Sequence, residues 1–273
     1  MDGLASGAPD ARHQITRVRH ETRRRTLTLV TKEALTPRML RLGFRSDDLH
    51  DFVSAAPDDH VKLFFPLAQG AGEGPGEGPG KGSEDARPVM RDFTPRAFDP
   101  ALGSLIIDVA LHDAGPAVEW AVAAQVGDRL EIGGPRGSAV VTDDFDWYLL
   151  IGDETALPAI GRRVEELRPG VPVATFAVVD GEDEIQQFKT QAAWRPTWVP
   201  RKASLNDATL LRGALNDYAL PPGDGFVWIA AEADVARDLR RLIVEERGHP
   251  RAWTKAAGYW QRGVANANMR LED

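Results

Sequence analysis

The sequence has no cysteine, and this absence removes several kinds of chemistry at once. Disulfides, thiolate nucleophiles, cysteine-ligated zinc and cysteine-ligated iron–sulfur clusters are all excluded. The six histidines show no metal-ligand spacing, so no metal site is expected. Any redox chemistry therefore has to come from a bound organic cofactor.

Long apolar runs and a basic charge balance are also missing. No apolar run reaches the length of a membrane span, and the first residues carry arginines instead of a hydrophobic signal core. We therefore expect neither a membrane span nor a secretory peptide, and we expect a cytoplasmic location. The net charge of −8 argues against nucleic-acid binding. The basic exception lies in residues 1–24, interpreted as a flexible N-terminal segment, with contact to an anionic partner as the alternative.

Alternating apolar and polar residues in the first half of the chain are typical of β-strands. The alternation occurs around Leu27 and Leu42 and in the segments HVKLFFPL and SLIIDVALH. Short strands without a strong helix between them favour a small antiparallel β-barrel over residues 25–143. Within it, residues 69–88 are rich in Gly, Pro and charge, which predicts a flexible loop between two strands.

The pattern changes at about Trp147. WYLLIG and VPVATFAVVD are typical of short buried strands, and between them Ile160, Val164 and Leu167 recur at helical spacing. FVWIA then leads into a second amphipathic helix, which ends near Gly248. This order predicts a parallel α/β domain over residues 147–273, and hence an α/β protein of two domains.

The segment RDFTPR, residues 91–96, combines side chains suited to a flavin dinucleotide. Arg91 and Arg96 suit a pyrophosphate, Phe93 offers a flat neighbour for a ring system, and Thr94 offers a hydrogen-bonding hydroxyl. Convergence of these side chains requires a bend at Pro95. The alternative is an exposed edge strand with solvated arginines.

Two further segments are suited to phosphate binding. In DVALHDAGPAVEWA, Pro116 can open a short helix whose amides receive a phosphate, with His112 beside it, although a lone histidine is more often an ordinary hydrogen-bonded residue. In LLIGDETALPAI, a glycine follows a buried strand and a threonine precedes a helix. Asp153 and Glu154 are unfavourable beside a pyrophosphate, and a capped helix explains this segment equally well.

The C-terminal segment RAWTKAAGYWQRGVAN interleaves aromatic and basic residues. Such a pattern can mark nucleic-acid binding, but the acidic net charge argues against that here. The segment could line a pocket for a bulky aromatic anion. Packing of the tail on the core is the structural alternative.

Taken in order, RDFTPR, LHDAGPAVEWA, GGPRGS, GDETALPAI and GYWQRG resemble the motifs of the siderophore-interacting proteins. These are flavin-dependent ferric-siderophore reductases of ferredoxin-reductase-like architecture, and the resemblance extends from about Arg17 to Gly263. It implies a six-stranded flavin-binding barrel and a ferredoxin-NADP reductase-like domain with a C-terminal siderophore-site extension. It further implies FAD, NADPH or NADH as donor, and an anionic ferric siderophore as substrate, from which the enzyme releases Fe(II). Separately, we expect a monomer.

The resemblance also implies residue roles. Thr94 would be catalytic, through a hydrogen bond near the reactive edge of the flavin. FAD contacts would come from Arg91, Phe93, Thr94, Arg96, Asp108, Ala110, His112, Gly115, Pro116 and Ala117, and nicotinamide contacts from Asp153, Glu154, Thr155 and Ala156. The candidate substrate-binding cations are Lys62, Lys255 and Arg262. Phe93 stands where the family usually has tyrosine, which removes a hydrogen bond of about 1 kcal/mol.

Other functions are compatible with the same pattern. The chain could be a general flavin reductase or an electron-transfer flavoprotein that takes electrons from ferredoxin. It could also be a non-catalytic protein that binds a siderophore without reducing it. A comparison of electron donors, and a search for Fe(II) release, separates these alternatives.

Overall fold

The computed structural model describes residues 12–66, 88–112, 115–264 and 269–270. The loop predicted over residues 69–88 lies outside the described residues except for its last residue, as do residues 1–11 of the N-terminal segment. Within the described residues, the N-terminal domain contains one α-helix, α1 (Pro116–Ala123), and these strands: β1 (Ile15–Arg19), β2 (Arg24–Thr36), β3 (Met39–Arg45), β4 (Val61–Phe65), β5 (Val89–Phe93), β6 (Ala97–Asp99), β7 (Ser104–Ala110), β8 (Arg129–Gly133) and β9 (Gly137–Val141).

Seven of these strands form one antiparallel sheet in the order β5-β4-β8-β2-β3-β7-β6. Its two edge strands, β5 and β6, are consecutive in the chain and are joined by residues 94–96. In a flat sheet these edges would lie roughly 29 Å apart, whereas the chain from Phe93 to Ala97 spans at most about 14 Å. The sheet therefore curls into the predicted barrel, around a core that includes Leu27, Phe44 and Ile107.

The barrel prediction is confirmed, but the main sheet has seven strands and not six. The difference arises because Pro95, which lacks an amide donor, separates the short strands β5 and β6. A second difference concerns the segment predicted to be flexible up to residue 24. Residues 15–19 form β1, which pairs with β9 through an antiparallel ladder although all five side chains are exposed.

The C-terminal domain is a mainly parallel sheet with helices on both faces. Its strands are β10 (Trp147–Gly152), β11 (Pro172–Val179), β12 (Ala193–Pro200), β13 (Gly225–Glu232), β14 (Thr254–Trp260) and β15 (Met269–Arg270). Its helices are α2 (Leu157–Glu166), α3 (Asp207–Asn216) and α4 (Ala233–Arg241), the last continued by a π-helical turn, Leu242–Glu246. No helix in the described ranges is both long enough and apolar enough to cross a lipid bilayer.

The strand order in this sheet is β12-β11-β10-β13-β14-β15, with only β15 antiparallel to its neighbour. All residues of β10 and β13 are buried, as expected for strands covered on both faces. After β10 the chain adds β11 and β12 on one side of that strand, and it then returns to add β13 on the other side. The crevice at the carboxyl ends of β10 and β13 is the place where open α/β sheets bind ligands.

Buried polar contacts join the two domains. The Arg162 guanidinium in α2 donates to the Ser54 hydroxyl at 2.7 Å, the Ser54 carbonyl at 2.8 Å and the Pro95 carbonyl at 3.1 Å. Glu184 accepts hydrogen bonds from the Thr36 hydroxyl and from the Arg38 amide. The barrel segment that contains Pro95 is therefore held directly by the second domain.

Candidate functional site between the two domains

A cavity of about 480 Å³ lies between the barrel and the carboxyl edge of the parallel sheet. Its wall comes from β5 and the residue after it, β7, the start of α1, the turn after β10, and the end of β14 with the residues that follow. The lining residues include Arg91, Phe93, Thr94, Asp108, Ala110, His112, Gly115, Pro116, Ala117, Glu154, Thr155, Tyr259, Trp260 and Arg262. Segments far apart in the sequence thus meet at one place.

The RDFTPR segment contributes to this wall only in part. Arg91, Phe93 and Thr94 line the cavity, and Thr94 is only 6% exposed. Arg96 does not line it. Its guanidinium lies 2.7 Å from the Glu165 carboxylate of α2 and 3.7 Å from Asp108.

The predicted contact between Arg96 and a pyrophosphate is therefore not supported by its position. The bend at Pro95 leads into β6. Just before that strand, the Arg96 amide donates to the Ile106 carbonyl at 2.9 Å. This geometry directs the side chain toward α2, where the half-buried Glu165 supplies a counter-charge. Arg96 is a residue of the domain interface.

The start of α1 forms the second part of the wall. Gly115, Pro116 and Ala117 line the cavity, and Pro116 occupies the first turn of the helix. The first amides of a helix have no partner within the helix, so this end is suited to an anionic group. Residues 113–114 of the same motif lie outside the described residues.

The two polar residues of β7 and its extension have different surroundings. Asp108 accepts two hydrogen bonds of 2.7 Å from the Arg41 guanidinium and is 3% exposed. Its charge is thereby balanced within the barrel. His112 stacks on Trp260 with ring centroids 5.7 Å apart, so this pair spans the cavity from one domain to the other.

The predicted nicotinamide contacts in the turn after β10 fall into two groups by their position. Glu154 and Thr155 line the cavity, whereas Asp153 and Ala156 are at most 1% exposed and do not. Asp153 accepts hydrogen bonds from the amide and hydroxyl of Thr155, the Glu232 amide and the Trp260 indole, at 2.6 to 3.0 Å. Asp153 therefore stabilises the cavity wall through these hydrogen bonds without lining the cavity itself.

Glu154 has an unusual electrostatic environment. Its carboxylate is paired with Arg201 at 2.6 and 2.9 Å, but the same guanidinium also serves Asp180 and Asp207. Burial, together with the negative charge of Asp153, raises the pKa of Glu154 to about 7 despite the opposing effect of Arg201. Glu154 therefore keeps its proton to a higher pH than an ordinary carboxyl does.

Only one of the three predicted substrate-binding cations lines the cavity. Arg262 is exposed at its wall. Lys62 lies outside the wall and pairs with Asp92 at 2.8 Å, and Lys255 pairs with Asp58 at 2.5 Å. Lys255 is near the start of β14, about 16 Å of extended strand before Trp260, which places it away from the carboxyl edge.

The sequence indicated that the segment containing Tyr259 and Trp260 could line a pocket, but it gave neither residue a specific role. Tyr259 and Trp260 line the cavity, although only Arg262 of this motif was assigned a role. The aromatic residues carried a usable signal, because they are the last residues of a strand that ends at the carboxyl edge of the parallel sheet.

Comparison with known proteins gives the same division of the chain. The family model described as "Siderophore-interacting FAD-binding domain" matches residues 28–139, and that described as "Siderophore-interacting protein" matches residues 145–263. An Escherichia coli protein named NADPH-dependent ferric-chelate reductase is 34% identical over 249 residues, which cover 89% of this chain and 95% of the relative.

Solved structures agree with the observed fold. A siderophore utilization protein from T. fusca superimposes with a TM-score of 0.82 and 36% identity, over 93% of this chain and 98% of that chain. A ferredoxin reductase in carbazole 1,9a-dioxygenase gives a TM-score of 0.59 at 18% identity, over 85% of this chain and 68% of that chain. The fold is therefore that of the ferredoxin reductases.

Proposed function

The chain belongs to the siderophore-interacting protein family, and from that premise we propose that it is an FAD-containing, NAD(P)H-dependent reductase of ferric siderophores. The observation that carries this proposal is the cavity between the domains. One wall is built from the flavin-type segment around Thr94, and the opposite wall comes from the switch point of a nucleotide-type sheet. We place the protein in the cytoplasm as part of the same proposal.

The residues present fit FAD. Phe93 offers an aromatic ring, the start of α1 offers free amides for a phosphate, and Arg91 adds a cation at the wall. The Tyr259 hydroxyl is buried at the same wall, so a polar ring would find a hydrogen-bonding group there. These features match the requirements of a flavin better than those of an apolar ligand.

When bound, FAD supplies the conversion of a two-electron hydride donor into single electrons for Fe(III). The protein itself orients the bound cofactor and excludes water from the cavity. Thr94 offers a buried hydroxyl to the occupant, while Trp260 is fixed over the cavity by its hydrogen bond to Asp153 and its contact with His112. Protein ligands to iron are unnecessary because the siderophore already chelates the metal.

The substrate side of the proposal rests on Arg262. An exposed guanidinium at the cavity wall attracts an anionic iron complex, and this attraction weakens with salt. Reduction releases the metal because hard oxygen donors hold Fe(III) far more tightly than Fe(II). Arg262 thus promotes the encounter with the iron complex and its binding, and it takes no part in electron transfer.

We expect the variant Arg262→Ala to have a KM for an anionic ferric tris-catecholate about fivefold above that of the native protein at low salt, with kcat unchanged. At high salt this difference shrinks, because screening reduces the contribution of the guanidinium. Steady-state assays at two ionic strengths measure both effects. Arg129→Ala, which removes an exposed arginine of β8, is the matched control. An equal loss at both salt concentrations would contradict an electrostatic role.

Glu154 predicts a pH dependence of nicotinamide binding. Below its pKa of about 7 the carboxyl is mainly neutral, and above it the anion repels the pyrophosphate of the donor. The KM for NADH should therefore rise by about threefold between pH 6 and pH 8, a size expected for partly screened charges. Glu154→Gln should flatten this rise, since its side chain is neutral throughout. An unchanged pH profile in that variant would assign the dependence to another group.

The central experiment is an absorbance spectrum of the purified protein. It should be yellow, should bleach under anaerobic conditions on addition of NADH or NADPH, and should recover its colour when a ferric siderophore is added. Reduced ferredoxin as an alternative donor distinguishes an electron-transfer flavoprotein. Retained siderophore binding without Fe(II) release would favour a binding protein. A colourless protein that takes up no added FAD would refute the proposal.

A further inference from the structure

The hydroxyl of Tyr259 is a buried polar group that lacks a hydrogen bond. It lies at the cavity wall, where the Thr94 hydroxyl is close enough to interact with it, but within the described residues it forms no hydrogen bond of adequate geometry. A buried donor without a partner costs about 1–3 kcal/mol, and native proteins rarely leave such groups unpaired. The hydroxyl therefore calls for a partner other than the described residues, and its place at the cavity wall allows a bound molecule to supply it.

The surroundings of Tyr259 keep its hydroxyl protonated. Burial is the main reason that the pKa of Tyr259 is raised well above its ordinary value, and the nearby Asp58 carboxylate is the second. The group remains protonated throughout the physiological range. Asp58 pairs with the Lys255 ammonium through Oδ2 at 2.5 Å, and its buried Oδ1 accepts no hydrogen bond from the described residues, so Asp58 does not pair with this hydroxyl. The missing partner must accordingly be an acceptor.

The ring of Tyr259 has little freedom to turn elsewhere. Its edge contacts Trp228, with centroids 6.0 Å apart and planes at 82°. The preceding residue, Gly258, is so close to α4 that an added Cβ would lie 2.9 Å from the Ala233 Cα atom. The strand is thus pressed against the helix, and the hydroxyl is held at the cavity.

The depth of the hydroxyl identifies the kind of occupant. Tyr259 and Thr94 lie at an enclosed part of the wall, since both the tyrosine hydroxyl and Thr94 are buried, whereas Arg262 is exposed. A substrate that arrives and leaves in each turnover contacts the exposed part of a site. The enclosed part suits a resident cofactor, and Thr94 belongs to the region matched by the FAD-binding family model.

We propose that Tyr259 is a flavin-positioning residue, whose hydroxyl donates a hydrogen bond to a ring nitrogen or carbonyl oxygen of FAD beside Thr94. This inference rests on the proposed function, because it requires FAD in the cavity. Through this hydrogen bond the second domain would contact the flavin directly, in addition to its nicotinamide contacts. A donor at the ring also favours the reduced flavin, which carries more negative charge on its nitrogen and oxygen atoms.

The test compares Tyr259→Phe with the native protein, with Tyr218→Phe as the matched control. The chain has three tyrosines, and Tyr218 lies away from the cavity wall, beside Phe176. Flavin-free protein is titrated with FAD, and flavin fluorescence is followed. We expect Tyr259→Phe to bind FAD about five- to tenfold more weakly, which corresponds to one lost hydrogen bond. Its visible flavin band should shift and its flavin midpoint potential should fall, while Tyr218→Phe matches the native protein.

Native affinity, spectrum and potential in Tyr259→Phe would overturn the inference. So would a lower melting temperature of the flavin-free variant without any change in these flavin properties, since the hydroxyl would then have a purely structural role. Failure of the native protein to take up FAD is a different result, because it would overturn the proposed function and this inference with it. The spectral shift distinguishes positioning from folding, because a loss of folded protein lowers the amount of bound flavin without moving its band.

Discussion

Replacement of Thr94 by valine is expected to slow the reduction of bound FAD by NADH or NADPH by about 100-fold, the cost of removing one preorganised hydrogen-bond donor from a reaction centre. Valine has nearly the same shape, and Thr94 is almost fully buried, so the wall of the cavity is retained. FAD should therefore still be taken up. Anaerobic rapid-mixing absorbance separates the rate of reduction from flavin content.

Thr94→Ser supplies the control for this experiment. It keeps the hydroxyl and loses one methyl group, so its reduction rate should remain within a few-fold of the native rate. A slow serine variant would indicate that packing at this position matters more than the hydroxyl. A fast valine variant would contradict a catalytic role for Thr94.

The second large effect is expected on stability. Arg162→Ala should lower the free energy of unfolding by about 3 kcal/mol, because it removes a buried guanidinium and leaves the Ser54 and Pro95 carbonyls without their donors. Arg162 is only 5% exposed, which limits compensation by water. FAD affinity should also fall, since Pro95 adjoins Thr94. Urea unfolding of the flavin-free protein and FAD titration measure the two effects.

Arg195→Ala is the matched control for the stability prediction. Arg195 is an exposed residue of β12, and surface substitutions of this kind usually change stability by no more than about 0.5 kcal/mol. If Arg162→Ala were equally mild, the contacts of Arg162 would have little energetic importance for the domain interface. The FAD titration would then also be expected to match that of the native protein.

Hydrophobic patterning was sufficient to predict both domains. The alternation in β2 to β4 and β7 places apolar side chains on one face, and the largely apolar runs of β10, β11 and β13 are explained by helices on both sides of a parallel sheet. Strand β12 and helix α3 were not anticipated. The segment AWRPTWVP contains two prolines and mostly exposed or half-buried side chains, because β12 is an edge strand, and so it lacks the signal of a buried strand.

Individual side-chain roles were harder to predict than elements. The resemblance placed Arg96 and Lys255 at ligands, but both are paired with carboxylates at the domain interface, Glu165 and Asp58. These pairs join residues from different domains, so neither short-range spacing nor composition can reveal them. Tyr259 illustrates the reverse case, because its missing hydrogen bond becomes visible only when its neighbours are known.

Residues 94–96 connect the two edges of the barrel, and the carbonyl of the middle residue accepts a hydrogen bond from α2 of the other domain. This connection makes flavin binding and domain docking thermodynamically linked. A ligand that immobilises Thr94 stabilises the docked arrangement by the same free energy with which docking raises its affinity. Cofactor loading should consequently reduce hydrogen exchange in α2 around Arg162, which donates to the Pro95 carbonyl.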